Sequence, residues 1–320
     1  MADREKYFLG FDGGGTKTDC VLLNAAGEVV AEHAAGPSNP LRAGFERAQA
    51  SLRTAAEKTL AAQQVGAASI AAVCAGIAGA GQPRVLKRVM GFLVETFPHA
   101  HVQVCTDLDI ALEAGLADGP GIVIVAGTGS AALGRGPDGR LVRAGGDGPW
   151  VSDEGSAFDI GRRGVSAVAR ARDALAPVTI LAESIPAALE CPDWSALLER
   201  IAQGPDDVFP RIFPLVADAA ESGDTPAREI LFGAALSLSH LVLSVARRLE
   251  IAQQDFLVAE AGGVFGVSPL LDQAFEALVH SAARGARVRP VDIPPARAAA
   301  RRAHRGYAPE AGGPRGAGTG

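Results

Sequence analysis

The sequence predicts an α/β fold made of two halves that repeat one pattern. Three observations carry this. Both halves open alike, with a short apolar strand, a loop of glycine and threonine, a second strand, a turn and a third strand, and helices follow. The 320 residues correspond to about two domains at ~150 residues each. Hydrophobic residues make up 48% and charged residues 21%, which is ample for packed cores and excludes global disorder. The 39 glycines and 20 prolines stay below the ~25–30% of a low-complexity chain, yet glycine exceeds its usual ~7%, so its clusters carry information.

In the first half, residues 7–11 and 18–23 read as strands on either side of Asp12-Gly13-Gly14-Gly15-Thr16-Lys17. Asn24-Ala25-Ala26-Gly27 is a turn and 28–35 a third strand, which gives an antiparallel meander. Pro37 and Pro40 break the chain. Residues 45–64 form a helix rich in Ala, Leu, Arg and Glu; 70–74 is a strand, 84–96 a helix, and 102–105 a strand that delivers Thr106 and Asp107 ahead of a short helix near 110–115. Gly119-Pro120-Gly121 marks a boundary, dividing the chain into 1–118 and 119–306. The apolar run 122–126 is a buried strand. It is followed by Gly127-Thr128-Gly129-Ser130, a strand at 131–134, a turn at 136–139 and a return strand at 140–144. Residues 160–250 are mostly helical, 256–259 is a late strand, and 307–320 read as a disordered tail.

Thirty basic and 36 acidic side chains give a formal charge of −6, which argues against a general nucleic-acid binder. Cys20, Cys74, Cys105 and Cys191 are scattered, with no CxxC pair. This speaks against a zinc site or a disulfide scaffold and fits a reducing cytoplasm. The opening MADREKYF is charged and has no apolar signal core. The stretch 230–246 lacks Asp, Glu, Lys and Arg, but Ser237, His240 and Ser244 share one helical face. It reads as a buried amphipathic helix, and no membrane association is expected.

Residues 12–18 are a candidate phosphate loop. Amides of a glycine turn can wrap an anion because no Cβ blocks the approach, and the hydroxyls of Thr16 and Thr18 can add donors. Asp12, just before the loop, suits the hydrated Mg²⁺ that accompanies nucleotide phosphates. This is not a Walker A loop, because Lys17 follows Thr16 rather than glycine and a strand comes next. Gly127-Thr128-Gly129-Ser130-Ala131-Ala132 fits the loose dinucleotide pattern, but Pro137-Asp138-Gly139 leaves no room for the helix that pattern requires. A second phosphate hairpin remains; for both loops a plain hairpin is the alternative.

The block 145–157 is dense in acids, glycines and hydroxyls. Its carboxylates can hold a polyhydroxylated ligand, or it is an acidic surface loop, and Trp150 is expected to pack beneath it. Asp107 stands at a strand end, where α/β folds present ligand groups. An aspartate there also serves as a helix N-cap, a role for which Asp109 competes. Gly262-Gly263 would let a flat base approach the backbone, or would start a helix. The arginine-rich run 284–305 reads as a solvated helix face rather than an anion patch.

Together, DGGGTKTD at 12–19, SNP at 38–40, AGIAGAG at 75–81, TD at 106–107, IVAGTGS at 124–130, GGDGPWVSDEGSAFDIG at 145–161 and EAGGVF at 260–265 resemble the sugar-kinase/actin-like ATPase superfamily. Within it they resemble the N-acetylglucosamine kinase branch, the BadF/BadG/BcrA/BcrD ATPase family. The motifs follow the family's order across nearly the whole chain, and 145–161 is the most specific. The resemblance implies two duplicated ribonuclease H-like domains of the actin-like ATPase fold, with an active site in the interdomain cleft. It implies a kinase that uses ATP and Mg²⁺ to phosphorylate an amino sugar, N-acetylglucosamine to its 6-phosphate.

By the same resemblance, Gly13, Gly14, Gly15, Thr16, Lys17 and Thr18 would grip the ATP phosphates together with Gly127, Thr128, Gly129 and Ser130. Asp12 would help hold Mg²⁺, and Gly262 and Gly263 would face adenosine. Asp107 would be the general base. Asn39, Gly146, Asp153 and Ala157 would line the sugar pocket, with Thr128 between sugar and phosphate. A homodimer follows by analogy. Two departures stand out. The family usually pairs Gly with Trp in the long block, but here Pro149 intervenes before Trp150. The last helix, at 296–305, usually returns to the first domain and is here unusually basic. Glucosamine and N-acetylmuramic acid are alternative substrates. An ATP-driven activator or regulator of a partner enzyme is the alternative of another class, but the scattered cysteines do not match its iron–sulfur cluster.

Overall fold

The structure is a computed structural model that describes residues 5–117 and 119–307. The tail expected at 307–320 lies outside the described residues, apart from Tyr307. The chain divides into two compact units, one of Met1–Ile110 with Ile293–Gly320 and the other of Ala111–Asp292.

The first unit holds β1 (Tyr7–Gly13), β2 (Thr18–Leu23), β3 (Val29–Ala35), α1 (Pro40–Ala43), α2 (Phe45–Ala61), β4 (Ile70–Ile77), α3 (Pro83–Thr96), β5 (His101–Cys105) and the start of α4 (Asp107–Leu116). The second holds β6 (Gly121–Ala126), β7 (Ser130–Arg135), β8 (Leu141–Gly145), α5 (Ala157–Arg172), α6 (Leu181–Ala188), α7 (Trp194–Gln203), α8 (Pro205–Glu221), α9 (Thr225–Arg248), β9 (Phe256–Ala261), α10 (Pro269–Ala282) and β10 (Ala286–Pro290). The last helix, α11 (Pro295–Gly306), belongs to the first unit.

The two sheets are copies. One runs β3-β2-β1-β4-β5, the other β8-β7-β6-β9-β10. In each, an antiparallel meander of three strands is extended by two strands parallel to the first. This is the duplicated ribonuclease H-like arrangement. The central strands β1, β4 and β6 are buried along most of their length because helices cover both faces of each sheet.

In the first unit, Leu9, Phe11, Leu22 and Val73 pack with Leu52 and Ala55 of α2 and with Val85 and Val89 of α3. On the other face Phe8, Val21, Leu23 and Ala72 meet Ala296, Ala299, Ala300 and Ala303 of α11. Gly10 makes that contact close. A Cβ at Gly10 would lie 2.1 Å from the Ala300 nitrogen and 2.3 Å from the Ala296 oxygen.

One expectation needs correction. The run 284–305 is not one solvated helix: it splits at Pro290, Pro294 and Pro295 into β10 and α11, and α11 buries its alanine face. On α9, the exposed side carries Phe232 and Leu236 as well as His240. By length and composition α9 would pass for a membrane span, but Leu231, Ala235, Leu238 and Val242 lie in the core of the second unit.

Candidate functional site

In the first unit the site grows from the β1–β2 hairpin. The Gly14 amide donates to the Lys17 carbonyl at 2.9 Å and closes the turn, which leaves Gly15, Thr16 and Lys17 at the tip. The Gly14 carbonyl accepts the Ser38 and Asn39 amides at 3.1 and 3.0 Å. The hairpin thus fixes Asn39, which caps α1 by accepting the Leu41 amide on its side-chain oxygen at 3.0 Å. Gly13 must be glycine, since a Cβ would lie 2.4 Å from Ser38 Oγ and 2.6 Å from Ile77 Cδ1. Thr18 corrects an expectation. It is fully buried, and its hydroxyl bonds to the Gly36 carbonyl and the Ser38 hydroxyl, each at 2.7 Å. Its hydroxyl braces the loop at 36–38 and is not a ligand donor.

Three carboxylates gather beside this hairpin. Asp12 and Asp19 lie directly opposite each other in the β1–β2 register, so both project from one face of the sheet. Asp107, at the start of α4, adds a third charge. Burial first, then the charges of Asp107 and Asp19, raise the Asp12 pKa from the ordinary aspartate range to about 7, while Lys17 works the other way. Lys17 pairs with Asp19 at 2.7 Å. The helix cap is made by other residues. Asp109 Oδ2 accepts the Thr106 amide at 2.9 Å and its hydroxyl at 2.7 Å, and the Asp109 amide returns to Thr106 Oγ1 at 3.2 Å. This is a reciprocal capping box, so neither Asp107 nor Asp109 alone is the cap.

Among the described residues, no group of three or more His, Cys, Asp or Glu forms a metal cage. Mg²⁺ keeps several waters and takes one or two carboxylates plus substrate phosphates. The hard oxygens of Asp12 and its like-charged neighbours fit this need, because a cation would relieve the repulsion that raises Asp12.

The second unit repeats the plan. The β6–β7 hairpin is closed by the Gly127 amide on the Gly129 carbonyl at 2.9 Å, and the Gly127 carbonyl accepts the Ala157 amide at 2.9 Å. Ala157 opens α5, which is capped by Ser156. So in each unit the first hairpin carbonyl holds a residue expected to touch the sugar, Asn39 in one and Ala157 in the other. Asp153, only 5% exposed and at φ 67°, accepts the Ser130 amide at 3.3 Å. Its Oδ2 lies 2.7 Å from where a Gly129 Cβ would be. The Ser130 hydroxyl donates to the Glu154 carbonyl at 2.8 Å. Ser130 is therefore occupied within the protein, which corrects its expected place as a phosphate contact; Thr128 and Gly129 form the tip.

The loop that follows takes glycine for its geometry: Gly145, Gly146 and Gly148 have φ of +75, +81 and +100°. The Gly146 carbonyl accepts Arg143 Nη2 at 2.6 Å. Trp150 does not pack beneath this loop: it is 71% exposed and meets Phe158 only at an edge, centroids 5.7 Å apart. At the end of β9, Gly262 (φ +98°) lies against Ala126, where a Cβ would be 2.3 Å from its oxygen, whereas Gly263 has nothing within 4 Å of its Cβ position. Gly262 serves the fold, and Gly263 alone leaves open space.

The sequence profile of the BadF/BadG/BcrA/BcrD ATPase family matches residues 9–299. The chain belongs to that family. Two curated relatives of this BadF/BadG/BcrA/BcrD member are sugar kinases by name. The N-acetylmuramic acid/N-acetylglucosamine kinase of Clostridium acetobutylicum is 29% identical over 81% of this chain and 85% of its own. The N-acetyl-D-glucosamine kinase of Dictyostelium discoideum is 28% identical over the same shares of each chain. A solved structure from Chromobacterium violaceum, provisionally named an N-acetylglucosamine kinase, superposes with a TM-score of 0.76 at 25% identity, covering 92% of this chain and 97% of that one.

Three residues beside these loops, two in the first unit and one in the second, were not singled out from the sequence. Asp19 was legible, because a hairpin with Gly13 opposite Thr18 puts Asp12 opposite Asp19. Ser38 sits inside a motif but gave no separate signal. Glu260, just before Gly262, is raised to about 7 by burial and by the charges of Asp272 and Glu276, which lie on α10 and only tertiary packing brings near.

Proposed function

We propose that this protein is an ATP-dependent kinase of an amino sugar, transferring the γ-phosphoryl group to the 6-hydroxyl of N-acetylglucosamine. The observation that carries this reading is the gathering of Asp12 and Asp107 beside the 13–18 hairpin, with Asn39 held on the Gly14 carbonyl. A phosphoryl transfer needs an acceptor oxygen in line with the γ-phosphorus and stabilisation of the charge that passes through. Asp107 orients the sugar hydroxyl and accepts its proton as the new O–P bond forms. The tip amides around Gly15–Lys17 and Thr128–Gly129 donate to phosphate oxygens. Asn39, Gly146, Asp153 and Ala157 bound the sugar, with Asp153 also holding the Ser130 amide, and Gly263 gives the adenine ring access to the backbone. Asp12 would hold Mg²⁺ through its waters; when bound, the ion neutralises phosphate charge.

N-acetylmuramic acid and glucosamine are the alternative acceptors, and one relative carries the first of these in its name. The reading takes the enzyme to be a cytoplasmic homodimer that works on a free sugar. A panel of these sugars, assayed for ADP release with Mg²⁺-ATP and a no-sugar control, tests it. ADP release that rises with N-acetylglucosamine supports the reading, and release indifferent to every sugar refutes it.

A further inference from the structure

Resting on the reading of 127–130 as a phosphate hairpin, we propose that Asp159, on the first turn of α5, is a positioning residue that sets the geometry of that hairpin for ATP. One stretch of chain grips the hairpin at both ends. The Gly127 carbonyl accepts the Ala157 amide at 2.9 Å. At the other end the Ser130 amide donates to Asp153 Oδ1 at 3.3 Å, and the Ser130 hydroxyl donates to the Glu154 carbonyl at 2.8 Å. Gly155 and Ser156 join the two grips. Their path therefore decides how the two ends of the Thr128–Gly129 tip are held.

Asp159 fixes that path. Its Oδ2 accepts the Gly155 amide at 3.1 Å. Gly155 is also wedged against α9, where a Cβ would lie 2.7 Å from the Ala234 carbonyl oxygen. A helix cap alone does not account for this. In a capping box the side chain at the third helical position returns to the amide of the cap residue. Here that amide, of Ser156, donates to the Asp153 carbonyl at 3.1 Å, and Asp159 reaches one residue further back. The carboxylate is only 7% exposed, a position that demands charged or hydrogen-bonded partners. Arg162 Nη2 donates to its Oδ1 at 3.0 Å, and Arg163 Nε lies 3.2 and 3.0 Å from its two oxygens. Arg163 in turn passes beside α9 at Gly233, where a Cβ would lie 2.8 Å from its Nη1. Two guanidinium groups thus hold Asp159 on one side, and Asp159 holds the hairpin's support on the other.

Calorimetric titration with Mg²⁺-ATP in the absence of sugar reads this role apart from turnover. Asp159→Ala should weaken ATP binding about tenfold, the effect of freeing one buried amide. Asp159→Asn keeps an oxygen for the Gly155 amide and should stay within about threefold of the parent. In turnover with N-acetylglucosamine, Asp159→Ala should raise the ATP KM while kcat stays within about threefold. Leu197→Ala, a core truncation on α7, controls for lost stability: it should lower the melting temperature and bind ATP as the parent does. Parental ATP affinity in Asp159→Ala would overturn the inference, as would a loss of affinity that Leu197→Ala reproduces. Should Asp159→Ala fail to fold, Arg163→Met decides. Faster amide hydrogen exchange at Gly155 and Ser130 in that variant supports the role, and parental rates overturn it. A parent that binds ATP but releases ADP with no sugar would remove the kinase reading and leave Asp159 to be judged on affinity. A parent that does not bind ATP would remove both.

Discussion

The charge of Asp107, at the start of α4, helps hold the Asp12 carboxyl on β1 near pKa 7. Two acids that repel each other are placed together where the glycine hairpin turns. A cation with a polyphosphate would relieve the repulsion. The first prediction follows. Asp107→Asn should lower sugar-dependent ADP release by about 10²–10⁴ while ATP binding and the melting curve persist. The same variant should lower the Asp12 pKa, read by carboxyl NMR titration, because a like charge is gone. Near-normal turnover would show that Asp107 is not the base.

Asp12 and Glu260, both raised to about 7, set the second prediction. A carboxyl raised on folding binds its proton more tightly in the folded state. Its contribution to stability is present below its unfolded pKa, near 4, and is lost as pH rises to about 7. The unliganded protein should therefore lose thermal stability between about pH 4 and 7, measured by calorimetry. Asp12→Asn should flatten part of that slope. If Asp12 holds the cation, Mg²⁺-ATP binding releases protons, so the apparent Mg²⁺ affinity should weaken as pH falls below about 7.

Gly262 and Gly263 separate fold from ligand. Gly262→Ala should destabilise the protein by ~3 kcal/mol or more, because its Cβ would enter the Ala126 carbonyl at a left-handed φ. Gly263→Ala should unfold within about 1 kcal/mol of the parent, since its Cβ position is open. If Gly263 faces adenosine, that variant should still raise the ATP KM, and an unchanged KM would remove it from the nucleotide site.

Gly129→Ala tests the anchor at the second hairpin. Its Cβ would meet the Asp153 carboxylate at 2.7 Å, so Asp153 must swing away from the Ser130 amide. The ATP KM should rise about tenfold, and Asp153→Ala, which frees the same amide, should do the same.

Much of this was legible in the sequence. Short apolar runs separated by turns marked both meanders, and a Pro-Asp-Gly turn too close to Gly127 exposed a hairpin where a dinucleotide fold would need a helix. What escaped depends on partners distant in the chain. Thr18 and Ser130 resemble ligand hydroxyls until Gly36, Ser38 and Glu154 are seen to accept or share them. Strand β10 was hidden because arginines occupy alternate positions around Ala286 and Val288. The exposure of Trp150 could not be read from composition, which favours burial of an indole.

The most direct measurement is ³¹P NMR of a reaction containing Mg²⁺-ATP and N-acetylglucosamine. The account predicts a sugar phosphomonoester resonance growing in step with ADP, with no matching inorganic phosphate. ADP appearing with inorganic phosphate alone would mean that water, not sugar, receives the phosphoryl group, and would contradict it.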